Sequence, residues 1–97
     1  MSEDIQREDS HLEESLLKFP CQFPIKAMGS GMLDLEKTVL EIIQRHTQDV
    51  TERDVHLRPS RNGRFVSITI VITAQSRAQL DAIYQDMTSH KDILMAF

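Results

Sequence analysis

Between Phe65 and Thr73 the chain alternates, with Val66, Ile68, Ile70 and Ile72 on one parity and Phe65, Ser67, Thr69, Val71 and Thr73 on the other. Successive side chains of a strand point to opposite faces, so this run predicts a strand that covers a core on one side only. Ser60-Arg61-Asn62-Gly63, just before it, is turn chemistry, because Asn and Gly tolerate positive φ. Ahead of the turn, Val55 and Leu57 alternate with His56 and Arg58 in a short strand halted by Pro59. Gln22 to Met28 reads as a further half-buried strand, Phe23, Ile25 and Ala27 opposing Pro24, Lys26 and Met28. Pro24 cannot donate to a ladder, so its amide is expected to point away from any neighbour or to lie at the strand's start.

From Met32 the period becomes helical. Met32, Leu35, Val39, Ile42, Ile43 and His46 fall on one stripe, with Asp34 and Glu36 in the first turn, where they complement the helix dipole. The polar stretch Thr47 to Asp54 ends this helix. Ser76 and Gln79 have capping-box spacing, which predicts a second helix with the stripe Leu80, Ile83, Tyr84 and Met87, closed by Ser89-His90-Lys91. A last strand follows, Ile93, Met95 and Phe97 alternating with Asp92, Leu94 and Ala96. The order β-α-β-β-α-β gives an α+β fold, the split βαβ or ferredoxin-like arrangement. It predicts a four-stranded antiparallel sheet with two helices on one face, the other face bare unless a partner covers it.

At 97 residues, 40% hydrophobic and 27% charged, the chain has the composition of one soluble globular domain. No apolar run approaches the ~20 residues of a membrane-spanning helix, and the charged N-terminus lacks the apolar core of a signal peptide. A membrane role is therefore not expected. The single cysteine, Cys21, excludes an intramolecular disulfide and fits a reducing, cytoplasmic compartment. The net charge of −4 is unevenly placed. Residues 1–19 hold Glu3, Asp4, Glu8, Asp9, Glu13 and Glu14 against Arg7 and Lys18, while acids and bases balance in the rest. The expected organisation is an acidic, mobile arm over residues 1–14 and one domain over 15–97. Where the arm meets the domain, Leu12, Leu16 and Leu17 can form one short amphipathic turn that docks on the domain.

The segment FPCQFPIKAMG, the helix ending IIQRH and the stretch VHLRPSRNGRFVSITI together resemble the YbeD-like family of small bacterial proteins. The resemblance covers roughly residues 15–97, and none of these segments is a catalytic signature. It implies a stand-alone, ACT-like regulatory domain. It also implies a link to lipoate metabolism, through the genomic location of family members rather than through chemistry.

ACT-type domains take small effectors, often amino acids, at the loop after the first strand. Here that loop is Gly29-Ser30-Gly31, where N–H groups ahead of a helix suit a carboxylate or phosphate. The acidic residue usual before the glycine in ligand-binding ACT loops is absent, since Ala27 and Met28 stand there. The alternative is a tight turn with no ligand. RNA-recognition domains share the fold, but of the K/R-G-F/Y-G/A-F-V-x-F/Y pattern only Arg61, Phe65 and Val66 match, and Pro24, Lys26 and Met28 offer no aromatic platform. Nucleic acid is thus disfavoured.

Catalysis is not expected, because His11, His46, His56 and His90 form no pairing with Cys21 that reads as nucleophile and base. No metal or cofactor is expected either, since metal-transport relatives of the fold need paired cysteines. His46 reads as a packed histidine held by the helix dipole and local carbonyls. Met28, Met32, Met87 and Met95 read as core or sheet-face filler. The favoured surface for a partner is Phe65, Ser67, Thr69 and Val71 on the outer strand face, together with the basic residues Arg58, Arg61 and Arg64. Homodimerisation through that face, or through the edge strand Val55–Arg58, is the other route to an assembly. The sequence therefore reads as a non-enzymatic regulatory or adaptor domain working by protein or small-ligand binding. An amino-acid-type sensor at Gly29–Gly31 is the alternative.

Overall fold

Ten residues of one strand lie against ten of another at the centre of the molecule, and everything else is arranged on that ribbon. The computed structural model describes residues 17–97; the expected arm over 1–14, with Leu12 and Leu16, lies outside the described residues. The elements are β1 (Cys21–Ser30), α1 (Leu35–Gln44), a single 3₁₀ turn (Glu52–Asp54), β2 (Val55–Pro59), β3 (Phe65–Ala74), α2 (Arg77–Thr88) and β4 (Ile93–Ala96). The strands form one sheet in the order β2-β3-β1-β4, every neighbouring pair antiparallel. β1 and β3 pair from Cys21↔Ala74 to Ser30↔Phe65. This is the ferredoxin-like fold.

One parity of each central strand meets the helices. Ile25 and Ala27 of β1 and Val66, Ile68, Ile70 and Ile72 of β3 are buried against Leu35, Val39, Ile42 and Ile43 of α1 and Leu80, Ile83 and Met87 of α2. Burial of that apolar area is the main driving force for the fold. Pro24 sits where its missing donor costs nothing. Lys26 exchanges both backbone hydrogen bonds with Phe97, on the β4 side, so Pro24, two residues earlier, faces the same side beyond the end of β4.

Four expectations are corrected. Met32 does not belong to the buried stripe of α1: it is 89% exposed, because Asp34 caps the helix by accepting from the Lys37 N–H and helical structure starts only at Leu35. Leu40, not assigned to the stripe, is buried instead. His46 lies past the end of α1, and its Nε2 pairs at 2.5 Å with Asp86 of α2 rather than with carbonyls alone. The strict alternation of the last strand fails: Met28 faces Met95 while Gly29 faces Ile93, so Leu94 is an extra residue in a bulge. A one-residue shift exchanges the faces of all that follows, which turns Met95 and Phe97 outward and Ala96 inward. The cap of α2 is also divided: Ser76 accepts from the Gln79 N–H, but the Gln79 side chain accepts from Gln75 and donates to the His46 carbonyl.

Tyr84, the chain's single tyrosine, donates to the Phe97 carbonyl at 3.2 Å. Burial raises its pKa above the ordinary value. The folded state therefore holds this proton more tightly than the unfolded state. That contribution is fully present below pH ~10 and is lost as pH rises through the folded pKa. Tyrosinate absorbance is expected to titrate at higher pH in the native protein than in urea, and Tyr84→Phe is expected to flatten the alkaline fall in stability.

Candidate functional site

The register of the sheet assembles the outer face from side chains that are scattered in sequence. Across the four strands one row reads Arg58, Ser67, Met28, Met95. The next reads His56, Thr69, Lys26, Phe97, and beyond it lie Val71 beside Pro24 and Thr73 beside Gln22. The expected surface residues Phe65, Ser67, Thr69 and Val71 do share this face, and Arg58 joins them opposite Ser67. Phe65, Val71, Met95 and Phe97 are all more than a third exposed. No element among the described residues covers them.

The face has a definite electrostatic character. It holds Lys26, His56 and Arg58 and no acidic side chain. The helical layer instead mixes signs, with Glu36, Lys37, Glu41 and Arg45 on and after α1 and Arg77 and Asp81 paired on α2. Among the described residues none of Lys26, Arg58, Arg61 and Arg64 takes part in an ion pair.

Arg61 and Arg64 lie off the face, in the loop joining β2 to β3. That loop is braced from within: the Gly63 N–H donates to the Ser60 carbonyl at 3.0 Å, the Arg64 N–H to Asn62 Oδ1 at 3.1 Å, and the Phe65 N–H to Ser60 Oγ at 3.1 Å. Gly63 has φ +74°, a value that strongly favours glycine. The arginines thus project from an ordered support at one end of the face.

Gly29, Ser30 and Gly31 occupy the end of β1 and the start of the loop into α1. The N–H groups that would receive an anion are already engaged. Gly31 donates to the Arg64 carbonyl at 2.8 Å, Met32 to Ser30 Oγ at 3.2 Å and Leu33 to the Ser30 carbonyl at 3.3 Å. Both glycines are accounted for by close backbone approach. A Cβ on Gly29 would stand 2.6 Å from the Asp92 carbonyl oxygen, and one on Gly31 would stand 2.4 Å from that of Gly63. Alongside runs a cleft of about 170 Å³ lined by Leu33, Leu57, Pro59 and Phe65 among others.

Cys21 lies half-buried at the start of β1, opposite Ala74, and His46 is held by Asp86. Among the described residues no group of three or more His, Cys, Asp or Glu side chains is placed to hold a metal ion, and no helix is long and apolar enough to cross a membrane.

Sequence reasoning did not assign Lys26, His56, Met28, Met95 and Phe97 to the candidate surface. The parity of Gln22–Met28 carried the signal for Lys26 and Met28, whereas the bulge that turns Met95 and Phe97 outward has no local signature.

Residues 14–97 match the model of a family described as a protein of unknown function, DUF493. The chain belongs to this family. A UPF0250 protein of Chromobacterium violaceum is 42% identical over 83 residues, covering 86% of this chain and 93% of its own length. Another, from Nitrosomonas europaea, is 41% identical and covers 86% and 95%. The family match thus begins three residues before the described part and takes in the whole sheet and both helices. The solution structure of protein HP0495 from H. pylori superposes with a TM-score of 0.69 over 84% of this chain and 85% of that one. At 12% identity it shows a shared fold.

Proposed function

We propose that this chain is a non-enzymatic regulatory or adaptor domain that seats a protein partner on the bare face of its sheet. The observation that carries the reading is the composition of that face: Val71, Met95 and Phe97 exposed beside Lys26, His56 and Arg58, with no acidic side chain among them. Apolar positions ringed by one sign of charge suit a partner of opposite charge. A symmetric dimer through this face would bring two sets of the same cations together, so an acidic partner fits better than a second copy. The Gly29–Gly31 sensor is the weaker reading, because the N–H groups of Gly31, Met32 and Leu33 are already engaged, by the Arg64 carbonyl and by Ser30. The link to lipoate metabolism implied by the resemblance makes an enzyme of lipoate synthesis the first partner to look for.

Affinity capture from the protein's own cells tests this with three baits. Thr69→Glu places an acid between Lys26 and His56 on the face, and Ala78→Arg alters an exposed position on α2. The wild-type and Ala78→Arg baits are expected to recover the same protein, and Thr69→Glu to lose it. Equal recovery by all three baits, or no specific protein with the wild type, would overturn the reading.

A further inference from the structure

We propose that the partner binds by strand addition: an extended acidic segment of it pairs with the open edge of β2 and seats an apolar side chain in the cleft beside that strand. The inference rests on the proposed reading of an acidic protein partner and adds how that partner is held.

The backbone of β2 is arranged to receive a strand. Just past its end the Ser60 N–H donates to the Phe65 carbonyl at 2.8 Å, and bonded pairs alternate along an antiparallel ladder. Arg58 and His56 therefore exchange bonds with Ser67 and Thr69 of β3, while Val55, Leu57 and Pro59 turn their backbone groups to the open edge. The Val55 N–H is taken by the Glu52 carbonyl, and Pro59 has no donor. The edge thus offers the Leu57 N–H and the carbonyls of Val55, Leu57 and Pro59. β4, at the other edge, is four residues long and interrupted by the bulge at Leu94, so it presents no such row.

The side chains set what the added strand must carry. Leu57 and Pro59 share the helical parity of Ile68 and Val66, and beside them lies the cleft of about 170 Å³, walled also by Leu33 and Phe65. Pockets for small ligands run to roughly 300–1,000 Å³, so this cleft suits a side chain instead. Leu33, Leu57 and Phe65 all remain exposed around it. Asp34 and Glu36 line the same cleft and turn a carboxylate away from it. On the other parity stand His56 and Arg58, both exposed, and among the described residues neither takes part in an ion pair. Successive side chains of a strand laid along β2 point alternately to the cleft side and to these cations. A segment of alternating apolar and acidic residues answers both.

A second copy fits this edge poorly. Two β2 strands related by a two-fold at Leu57 set Arg58 of each against His56 of the other. The two-fold registers on either side set Arg58 or His56 against itself. Opposite Pro59 the copy offers Val55, whose N–H is already used, so only the two bonds between the Leu57 residues form. An antiparallel segment without proline makes four, one from the Leu57 N–H and one to each of the three carbonyls.

The test titrates the full-length protein with millimolar Thr-Val-Glu-Leu-Glu-Val-Thr, or with the same peptide carrying lysine at both glutamates. With the acidic peptide, NMR is expected to show the Leu57 amide exchanging about tenfold more slowly and the Leu33 and Leu57 methyl signals shifted. The lysine peptide is expected to do neither. Leu57→Pro removes the edge donor without touching the ladder to β3, and is expected to weaken binding about tenfold. Leu33→Ser, in the exposed loop, is expected to weaken it about fivefold and serves should Leu57→Pro fail to fold. An unchanged Leu57 amide, or equal binding of the two peptides, would overturn the inference. So would protection of Leu57 that grows with protein concentration before any peptide is added, because a second copy would then hold the edge. In affinity capture, a Leu57→Pro bait that keeps the partner lost by Thr69→Glu would remove the added strand and leave the face reading standing. Protection of Leu57 by the acidic peptide, with no protein recovered by any bait, would do the reverse.

Discussion

Gly29→Ala is expected to lower the unfolding free energy by about 3 kcal/mol, the upper end of what overpacking a tight site costs. The added methyl would stand 2.6 Å from the Asp92 carbonyl oxygen and 2.8 Å from Leu35 Cδ2. Neither neighbour moves freely. Asp92 immediately precedes β4, whose Ile93 pairs with Gly29 itself, and Leu35 is fully packed in the core at the start of α1. For a domain of this size the loss corresponds to roughly 15 °C in Tm. Gly63→Ala is the informative comparison: nothing lies near its Cβ, so only its positive φ is strained, at a cost of about 1 kcal/mol. Thermal unfolding followed by circular dichroism measures both. An unchanged Tm for Gly29→Ala would mean that the glycine is not required by packing, and would return the loop to consideration as a ligand site.

Adjacent residues of β3 are expected to behave in opposite ways. Ile70 is fully buried, in register with Ile25 on one side and Val55 on the other, and Ile70→Ala is expected to cost about 2–5 kcal/mol through lost burial and a residual cavity. Val71 points to the bare face, and Val71→Ala is expected to cost less than about 1 kcal/mol. In partner recovery the order reverses, Val71→Ala being the variant that weakens binding while the domain stays folded. Urea unfolding of the two variants, with m-values compared to confirm a common transition, separates them. Equal costs would contradict the assignment of the two faces.

The two central strands were legible because each carries an uninterrupted period of two, and a one-residue slip would have buried Ser67 and Thr69 in place of Ile68 and Ile70. The helices were legible from their stripes, apart from the start of α1. There Met32 and Leu33 continue the apolar spacing, and only the cap geometry of Asp34 shows that they remain outside the helix. Tertiary features left no trace in local pattern. The bulge at Leu94 depends on how β4 meets β1, and the pairing of His46 with Asp86 joins residues 40 positions apart. For the same reason only half of the candidate surface was readable. β3 shows its own outer parity, as β1 does for Lys26 and Met28, whereas Met95 and Phe97 join the face only through the bulge in β4.

The methionines offer the most direct test that the sheet face is where a partner sits. Met28 and Met95 lie opposite each other on that face, Met32 stands exposed in the loop before α1, and Met87 is buried in the core. Methyl-labelled protein observed by NMR while extract of its own cells is added reports all of these positions at once. Selective shift or broadening of Met28 and Met95, with Met32 and Met87 unchanged, is the result predicted. A response confined to Met32, or none at any methionine, would contradict it.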